Sequence, residues 1–249
     1  MISKNKLFCI EKILSIKRIG LRAVLDQKGF ESQNFTIKKI ISFLTICFCP
    51  ILSVLNAQDA VHNYGNIQIH DDGLVGFHMD VINNGAFNQN KGLVGFYSID
   101  KALTISGGSN PVFYDFEVAA DNHLYVDNTV GVLNNTKVDG YVAISKKSEF
   151  TFPIGQNGSL RPLSIHSVNS NDYAKSAYYF EDPTTPSIFG TSFDTNRKEN
   201  EFLSVSEYEF WHLEGSVSSK ATLTWDEQSN ANLLGDFISD LKVVGWSVA

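Results

Sequence analysis

The sequence predicts an all-β protein with an N-terminal signal helix, a parallel β-helix-like (solenoid) region and a partial antiparallel β-sandwich. Charged residues make up only 19% of the chain, and residues suited to strands and turns are frequent. After residue 60 no stretch keeps the spacing of apolar residues that a helix needs. The pentapeptide GLVGF occurs twice, at 73–77 and 92–96, which favours a fold built from repeated coils.

The chain divides into three regions. Residues 1–57 are interpreted as an N-terminal extension plus a signal peptide, residues 58–154 as a β-solenoid-like repeat region, and residues 155–249 as a β-sandwich-like domain. The last region is expected to be incomplete unless the sandwich ends at residue 249, because the sequence stops directly after a predicted strand.

Residues 38–57 have the three parts of a secretory signal. A Lys–Lys pair begins the segment, residues 40–55 are mostly apolar, and Ala57 is a small residue before a cut that leaves Gln58 at the new N-terminus. Because the apolar run is shorter than the roughly twenty residues of a membrane span and contains Pro50, a cleaved signal is favoured over an uncleaved anchor or a buried core helix. We therefore expect a secreted or extracellular-surface protein without membrane association after cleavage.

Residues 1–37 precede this signal and have two interpretations. Either they form a basic amphipathic helix at a membrane surface, or translation begins near residue 36 or 37 and the stretch is upstream sequence. The second interpretation is favoured, because a signal peptide normally begins within a few residues of its basic part.

The charge is divided unevenly along the chain. Residues 1–57 carry nine Lys and Arg against three Asp and Glu, whereas residues 58–249 carry 11 against 24. An acidic region of this kind does not attract a nucleic-acid backbone, so we expect no nucleic-acid partner. All three cysteines lie before residue 58, so the rest of the chain contains neither a disulfide nor a thiolate metal site.

The two GLVGF copies predict the geometry of one coil. In each copy two apolar residues, Val75 and Phe77 or Val94 and Phe96, share a strand face and lie nineteen residues from their counterparts. A parallel β-helix would stack Val94 on Val75 and Phe96 on Phe77, and the intervening glycines would allow a close approach or a bend. Antiparallel hairpins around Asn-Gly and Asp-Gly turns, or a sandwich that repeats a hairpin, are the alternatives.

Short strands separated by turns rich in Asp, Asn and Gly are predicted throughout the repeat region. In VFYDFEV (112–118) the four even-numbered residues are expected on one core-facing face and the three odd-numbered residues on the other. The predicted strands are 65–70, 73–81, 92–99, 102–106, 112–118, 123–127, 130–134, 140–145 and 149–154.

Longer alternating strands are predicted after a turn cluster at 155–159, and all three Trp residues lie in this last region. A polar loop at 182–201 separates the second of these strands from the third. The pattern is typical of the start of an antiparallel β-sandwich. The predicted strands are 160–168, 176–181, 208–215, 220–227 and 241–247.

The order of these motifs resembles a known family. An apolar signal ending in NAQ is followed by coils containing VFYDFEV, then by VDGYVAIS, FTFPIGQNGSLRPLSI, EFWHLEG and ATLTWDE. Across residues 58–249 this order resembles the large secreted surface or adhesin-like proteins of gliding, Bacteroidota-type bacteria, which often end in a gliding motility-associated or other C-terminal domain read by type IX secretion. The resemblance implies export to the outer surface and a role in adhesion or in building the surface layer. Because no such C-terminal domain is present, we expect the chain to be truncated.

Three histidines attract attention as possible metal ligands. His62, His70 and His78 are eight residues apart. A turn at 71–73 interrupts the chain between the last two, so they need not face the same way, and ordinary exposed or hydrogen-bonded histidines are expected.

Two groups of oxygen-bearing side chains could coordinate Ca²⁺. Asp and Asn are more often present at turns for backbone reasons, and no known Ca²⁺-loop pattern occurs, so we predict neither a metal site nor a cofactor. The candidate groups are Asp71, Asp72 and Asp80, and Asp121, Asn122 and Asp127.

The candidate catalytic groups are Asp115 and Glu117, whose paired carboxylates would suit a polysaccharide-cleaving β-helix. Two acids on one face of a strand more often mark its solvent side, and the common hydrolase, metalloprotease and nucleotide-binding motifs do not occur. Arg161 lies beside the FPIG turn, where a structural ion pair is favoured over ligand binding. Tyr178, Tyr179 and the three Trp residues are expected to be core aromatics, with a sugar-stacking platform as the alternative.

These observations predict a non-enzymatic cell-surface protein, structural or adhesin-like, associated with gliding motility or surface adhesion. Its expected partners are surface polysaccharide or other surface proteins. The alternative is a carbohydrate-binding module or accessory region of a polysaccharide-degrading enzyme, and a polysaccharide lyase is a third class. No catalytic, cofactor-binding or metal-binding residue is assigned.

Overall fold

The described part of the chain is almost entirely β-structure, as the sequence predicts. The computed structural model describes residues 60–187, 189–235 and 238–246, so the predicted signal helix and extension lie outside the described residues. The helices in this part are three single turns of 3₁₀ type, and none is long and apolar enough to cross a membrane. The strands are β1 (Ala60–Asn63), β2 (Leu74–Phe77), β3 (Asp80–Asn83), β4 (Leu93–Phe96), β5 (Leu103–Ser106), β6 (Val112–Phe113), β7 (Asp115–Val118), β8 (His123–Val126), β9 (Gly131–Val132), β10 (Thr136–Val138), β11 (Tyr141–Ile144), β12 (Lys147–Phe152), β13 (Gly155–Gln156), β14 (Ser159–Leu160), β15 (Leu163–Asn171), β16 (Ala174–Tyr179), β17 (Phe210–Gly215) and β18 (Lys220–Leu223), and the 3₁₀ helices are Glu227–Ser229, Ala231–Leu233 and Ile238–Asp240.

Residues 60–144 form a parallel β-solenoid of about four coils. One side of each coil belongs to a seven-stranded sheet, sheet I (β1-β3-β5-β8-β11-β16-β17), and another to a four-stranded sheet, sheet II (β2-β4-β7-β10). The third side contains the β6–β9 pair and an isolated parallel bridge. Successive coils are offset by between 18 residues (His123 to Tyr141) and 24 residues (Val81 to Ile105). Neighbouring coils pair in parallel, so the hairpin alternative is wrong for this region.

The two GLVGF copies stack as predicted. Strands β2 and β4 pair so that Val75 lies beside Val94 and Phe77 beside Phe96. The rings of Phe77 and Phe96 are stacked with centroids 5.4 Å apart. Val94 and Phe96 are 0% and 1% exposed. Burial of an apolar side chain of this size contributes roughly 1.5–3 kcal/mol, so the repeat is a core element of the fold.

The same inward column continues through the later coils. From Phe77 and Phe96 it passes to Val118 and then to Val138, and all four side chains are buried. A single coil could not bury its apolar side, but each coil here covers the next. The solenoid core is therefore a stack of equivalent positions rather than one central cluster.

Two buried asparagines connect coils at the corner that follows sheet I. Asn63 Nδ2 donates to Asn83 Oδ1 at 2.7 Å and to the Ala86 carbonyl at 3.0 Å. Asn83 is 0% exposed and donates to the Ser109 carbonyl at 2.9 Å. A buried polar group left without a partner costs about 1–3 kcal/mol. These side chains therefore add hydrogen bonds to corner carbonyls and connect the first three coils.

The predicted continuous strand at 112–118 is wrong. The chain turns a corner at Tyr114, which separates β6 from β7. The alternation of side chains restarts at this corner, so Phe113 is 0% exposed and Tyr114 is 36% exposed, the reverse of the expected pattern. Phe116 and Val118 do face the core. The predicted strand at 73–81 is split in the same way, into β2 and β3.

After the fourth coil the pairing changes from parallel to antiparallel. In sheet I, β16 pairs antiparallel with β11, and β17 pairs antiparallel with β16. Strands β12, β15 and β18 form a separate three-stranded antiparallel sheet. Sheet I thus contains strands from both sides of residue 154, where the sequence predicts a domain boundary, and that boundary stays a prediction.

The predicted strand at 241–247 is wrong over its described residues, 241–246, which form no strand. Val243 is 68% exposed, and the ring of Trp246 packs against Phe193 with centroids 5.3 Å apart. Apolar alternation produces a strand only where a partner edge completes its hydrogen bonds.

Candidate functional site

One tyrosine covers the outer face of sheet II where the repeat carries glycine. Gly76 and Gly95 lie side by side in β2 and β4. A Cβ atom at Gly95 would clash with the Tyr97 ring, and a Cβ atom at Gly76 would lie 3.1 Å from Tyr97 Cε2. The close approach predicted at the repeat glycines is confirmed, and the ring of Tyr97 is the group that approaches.

Tyr97 begins a polar network that crosses the last three coils. Its hydroxyl donates to Glu117 Oε2 at 2.6 Å, and Lys137 Nζ donates to Glu117 Oε1 at 2.9 Å. Lys137 Nζ also lies 3.4 Å from Asp139 Oδ2. Gln156 Nε2 donates to Asp139 Oδ1 at 2.9 Å. The network therefore links the solenoid to the turn that follows it.

The network shifts the pKa of its members. Burial and the hydrogen bond to Glu117 raise the pKa of Tyr97 to about 12. Burial would raise the pKa of Glu117, but the hydrogen bonds from Tyr97 and Lys137 hold it below its ordinary value of 4.5. The hydrogen bond to Glu117 and the charge of Asp139 raise the pKa of Lys137. At neutral pH, Tyr97 is a neutral donor to an ionised Glu117 that also faces an ammonium group.

An open groove of about 1020 Å³ lies beside this network on the outer side of sheet II. Leu74, Leu93 and Asp115, which are paired neighbours in β2, β4 and β7, line it. Tyr114, displaced outward by its corner, adds an aromatic ring. Gln156 of β13, the turn at 157–158 and parts of the chain between residues 180 and 187 line the groove near β10.

Carboxylates outnumber ammonium groups along the groove, and several are already hydrogen-bonded. Asp115 Oδ1 accepts from Asn134 Nδ2 at 2.8 Å and from the Asn135 amide at 3.1 Å. Glu181 Oε2 accepts from Ser187 Oγ at 2.6 Å. Five carboxylates and two ammonium groups make the lining negative by three charges when all are ionised. The acids are Asp71, Asp72, Asp115, Asp139 and Glu181, and the bases are Lys91 and Lys137.

The candidate catalytic pair projects outward from β7, as the sequence predicts, but both carboxylates bond the next coil. Asp115 accepts from Asn134 and Asn135, and Glu117 accepts from Lys137. Asp115 lines the groove, whereas Glu117 belongs to the Tyr97 network. Both side chains therefore contribute hydrogen bonds between the third and fourth coils.

The structure does not bring the three histidines together. His62 is in β1 of sheet I, His78 follows β2 of sheet II, and His70 lies before the turn that leads into β2. All three are exposed. The His62 ring lies 6.0 Å from the Tyr64 ring, and the His78 ring lies 5.7 Å from the Tyr97 ring.

Within the described ranges, no group of three or more His, Cys, Asp or Glu side chains is placed to hold a metal ion. Asp71 and Asp121 have φ angles of 41° and 62°, in the left-handed region that marks turn residues. Asp80 Oδ1 accepts from the Thr104 amide at 2.8 Å, and the Asn122 side chain accepts a backbone N–H from the preceding coil. The other two candidates, Asp72 and Asp127, are exposed.

Arg161 is part of a buried ion-pair cluster, which confirms the structural interpretation favoured from the sequence. Its side chain is 3% exposed, and it donates to Glu209 Oε2 at 3.3 Å and to Asp226 Oδ1. Tyr178 Oη donates to the same Glu209 oxygen at 2.5 Å, and Trp211 Nε1 donates to the Arg161 carbonyl at 3.4 Å. Burial opposes the charged form, but the hydrogen bond to Asp226 and the surrounding negative groups raise the pKa of Arg161.

Tyr178 and Tyr179 are core residues and not a sugar-stacking platform. They are 0% and 2% exposed, and burial raises the pKa of both. Trp211 is partly buried against Tyr178, with ring centroids 5.2 Å apart. Trp225 and Trp246 are 49% and 38% exposed, so the expectation of core aromatics is wrong for these two residues.

The sequence does not single out Tyr97, Tyr114 or Gln156 as site residues. The glycines at equivalent positions of the repeat are the one signal that points to Tyr97, because stacked glycines leave a slot on the face of a sheet. Tyr114 and Gln156 reach the groove through a corner and a turn, whose directions depend on the tertiary structure.

Neither family models, nor curated proteins, nor solved structures match this chain. The resemblance to surface proteins of gliding bacteria therefore stays a prediction. The solenoid, the polar network and the groove are the features of the described residues that bear on function.

Proposed function

We propose that this chain is a secreted, non-enzymatic cell-surface protein whose solenoid acts as a structural stalk or adhesive scaffold. One observation carries the proposal: the best candidate catalytic carboxylates, Asp115 and Glu117, are bonded to side chains and backbone of the next coil. Carboxylates held in this way contribute hydrogen bonds that connect neighbouring coils.

The coil architecture also supports a role as a stalk. Each coil contacts its neighbours along the stack, so a solenoid lengthens by about 4.8 Å for every coil added. The shared inward column through Phe96 and Val118 shows how one coil provides the surface on which the next one packs. A molecule of this kind holds one end away from the surface to which the other end is attached.

Export is part of the proposal. The apolar run at 40–55 followed by Ala57 supports secretion with cleavage at that residue. The excess of acidic residues in 58–249 favours solubility outside the cell. The order of motifs supports a place among gliding- or adhesion-associated surface proteins that use type IX secretion.

We further propose that residues 155–249 belong to a β-sandwich-like domain. The antiparallel pairs β12–β15–β18 and β16–β17 support this arrangement. Ile165 and Tyr178, on β15 and β16, are buried in an apolar cluster that is continuous with the solenoid core.

Export is tested by treating intact cells of the source organism with a protease that does not enter them, and by sequencing the N-terminus of the surface protein. We expect loss of the protein on treatment and a chain that begins at Gln58. A variant with Ile41→Asp and Leu44→Asp in the apolar run should remain inside the cell. Cytoplasmic wild-type protein with an intact N-terminus would contradict the proposal.

The absence of catalysis is tested with the purified protein and a panel of neutral and acidic polysaccharides. We expect no release of reducing or unsaturated sugars. Sugar release would contradict the proposal if Asp115→Asn and Glu117→Gln abolish it and the exposed control Asp100→Asn retains it. In that case the protein would be a polysaccharide-cleaving enzyme.

A further inference from the structure

We propose that the groove on sheet II binds a segment of a neutral polysaccharide. This role goes beyond that of a scaffold, which requires no ligand. The groove passes the outer faces of β2, β4, β7 and β10. Neighbouring strands lie about 4.8 Å apart, so the lined surface is roughly 14 Å long. An open surface of this length accommodates one side of an extended chain, whereas small-molecule sites enclose most of their ligand.

Apolar and hydrogen-bonding groups alternate along the groove. Leu74 is 75% exposed and Tyr114 is 36% exposed, in contrast to the covered tyrosines of the core. Asn135 and Asn157 add exposed amides, and Asp115 adds a carboxylate. A sugar ring has apolar C–H faces and a rim of hydroxyl groups. An exposed aromatic ring bordered by amides and carboxylates is complementary to both parts.

Two of the hydrogen-bond acceptors are already held in position. Asp115 Oδ1 accepts from Asn134 Nδ2, and its second oxygen accepts no hydrogen bond from the described residues. Asp139 accepts from Gln156, and Gln156 Oε1 in turn accepts from the Phe180 amide at 2.9 Å. Side chains that are fixed before binding lose less conformational freedom when a ligand arrives, so these bonds favour affinity.

The charge of the groove selects the class of polysaccharide. The lining is negative by three charges, so a uronic-acid or sulfated chain would be repelled. A cationic peptide is the competing occupant, but the exposed groups near Tyr114 include the uncharged amides of Asn135 and Asn157, which hydrogen-bond hydroxyl groups and form no ion pairs. The groove therefore presents fixed acceptors for hydroxyl groups, and these match a neutral chain.

The test is affinity electrophoresis of the full chain in native gels that contain hydroxyethylcellulose, xyloglucan, galactomannan or dextran, with alginate and poly-lysine as charged probes. We expect at least one neutral polymer to retard the protein, and Tyr114→Ala to weaken that binding about tenfold. Leu74→Gln, on an exposed edge strand, is a second groove variant that should also weaken it.

Tyr64→Ala is the matched control. Tyr64 is 74% exposed in the first coil and does not line the groove, so its loss should leave binding unchanged. Equal loss in Tyr64→Ala and Tyr114→Ala, no retardation by any neutral polymer, or stronger binding of alginate or poly-lysine would overturn the proposal. A surface-located protein that binds none of the polymers would leave the scaffold role intact, so the two proposals fail separately.

Discussion

The solenoid (60–144) and the antiparallel part (147–223) are stabilised in different ways. In the solenoid the same contacts recur from coil to coil, as in the stacked rings of Phe77 and Phe96 and the hydrogen bond between Asn63 and Asn83. In the antiparallel part the strands reach nine residues in β15, and one buried side chain, Arg161, joins separate segments of the chain.

This difference shows how repetition distributes stability. Each buried position of the solenoid is supported by the equivalent positions above and below it, so the loss of one side chain acts mainly on adjacent coils. Arg161 has no equivalent in a neighbouring repeat. Its removal would leave Glu209, whose side chain is 4% exposed, buried without its cation.

The largest effect is expected from Arg161→Met. Breaking a buried ion pair by removing one partner costs about 3–5 kcal/mol, because the remaining charge stays buried. Equilibrium unfolding in urea should show a loss of this size. Tyr178 would still donate one hydrogen bond to Glu209, but it supplies no positive charge.

Two further variants test whether the stability lost in Arg161→Met comes from the buried charge that is left on Glu209. The double variant Arg161→Met/Glu209→Gln should regain part of the lost stability, because the uncompensated charge is removed. Arg197→Met replaces an exposed arginine and should change stability by less than about 0.5 kcal/mol. If Arg161→Met loses no more stability than Arg197→Met, the cluster does not hold the antiparallel part together.

An intermediate effect is expected from Asn83→Ala in the solenoid. The substitution removes one of the two side-chain donors to the Ser109 carbonyl and leaves Asn63 without one acceptor, at a cost of about 1–3 kcal/mol. Hydrogen exchange should increase in the first three coils and remain unchanged in β15 and β17. The exposed Asn66→Ala is the matched control and should be nearly neutral. Faster exchange throughout the antiparallel part would contradict the local response of the solenoid.

The smallest effect is expected from Tyr97→Phe, which removes one hydrogen bond and costs about 0.5–1.5 kcal/mol. The lowered pKa of Glu117 contributes stability that is present above its ordinary value of 4.5 and is lost as the pH falls through the lower, folded-state pKa. Because Tyr97 supplies part of that shift, the variant should lose less stability on acidification than the wild type. Thermal melting curves recorded above and below pH 4.5 measure this difference in acid sensitivity.

Tyr125→Phe provides the control, since the Tyr125 hydroxyl makes no hydrogen bond to another residue in the described ranges. This variant should match the wild type in both stability and acid sensitivity. An identical acid response of Tyr97→Phe and wild type would exclude Tyr97 as a cause of the Glu117 shift.

Part of the fold could be predicted because it depends on the spacing of repeated residues along the sequence. Val75 and Val94 carry the same residue type nineteen positions apart, and a parallel pair places such residues side by side. The corner at Tyr114 could not be predicted, because a corner restarts the alternation without leaving a Gly or Pro to mark it. Of the groove residues, Asp115 was placed on the correct outward face, but Tyr114 and Gln156 were not expected there.

The sequence by itself determined the all-β class and the parallel stacking of the two GLVGF copies, because both follow from patterns within one strand or one coil. Only the tertiary structure decided the corners, the ion pair between Arg161 and Glu209, and the groove. Arg161 and Glu209 are 48 residues apart in the chain and meet through strand packing. The spacing of a sequence repeat shows which residues share a strand face. A corner or a long-range side-chain pair depends on how the strands pack together.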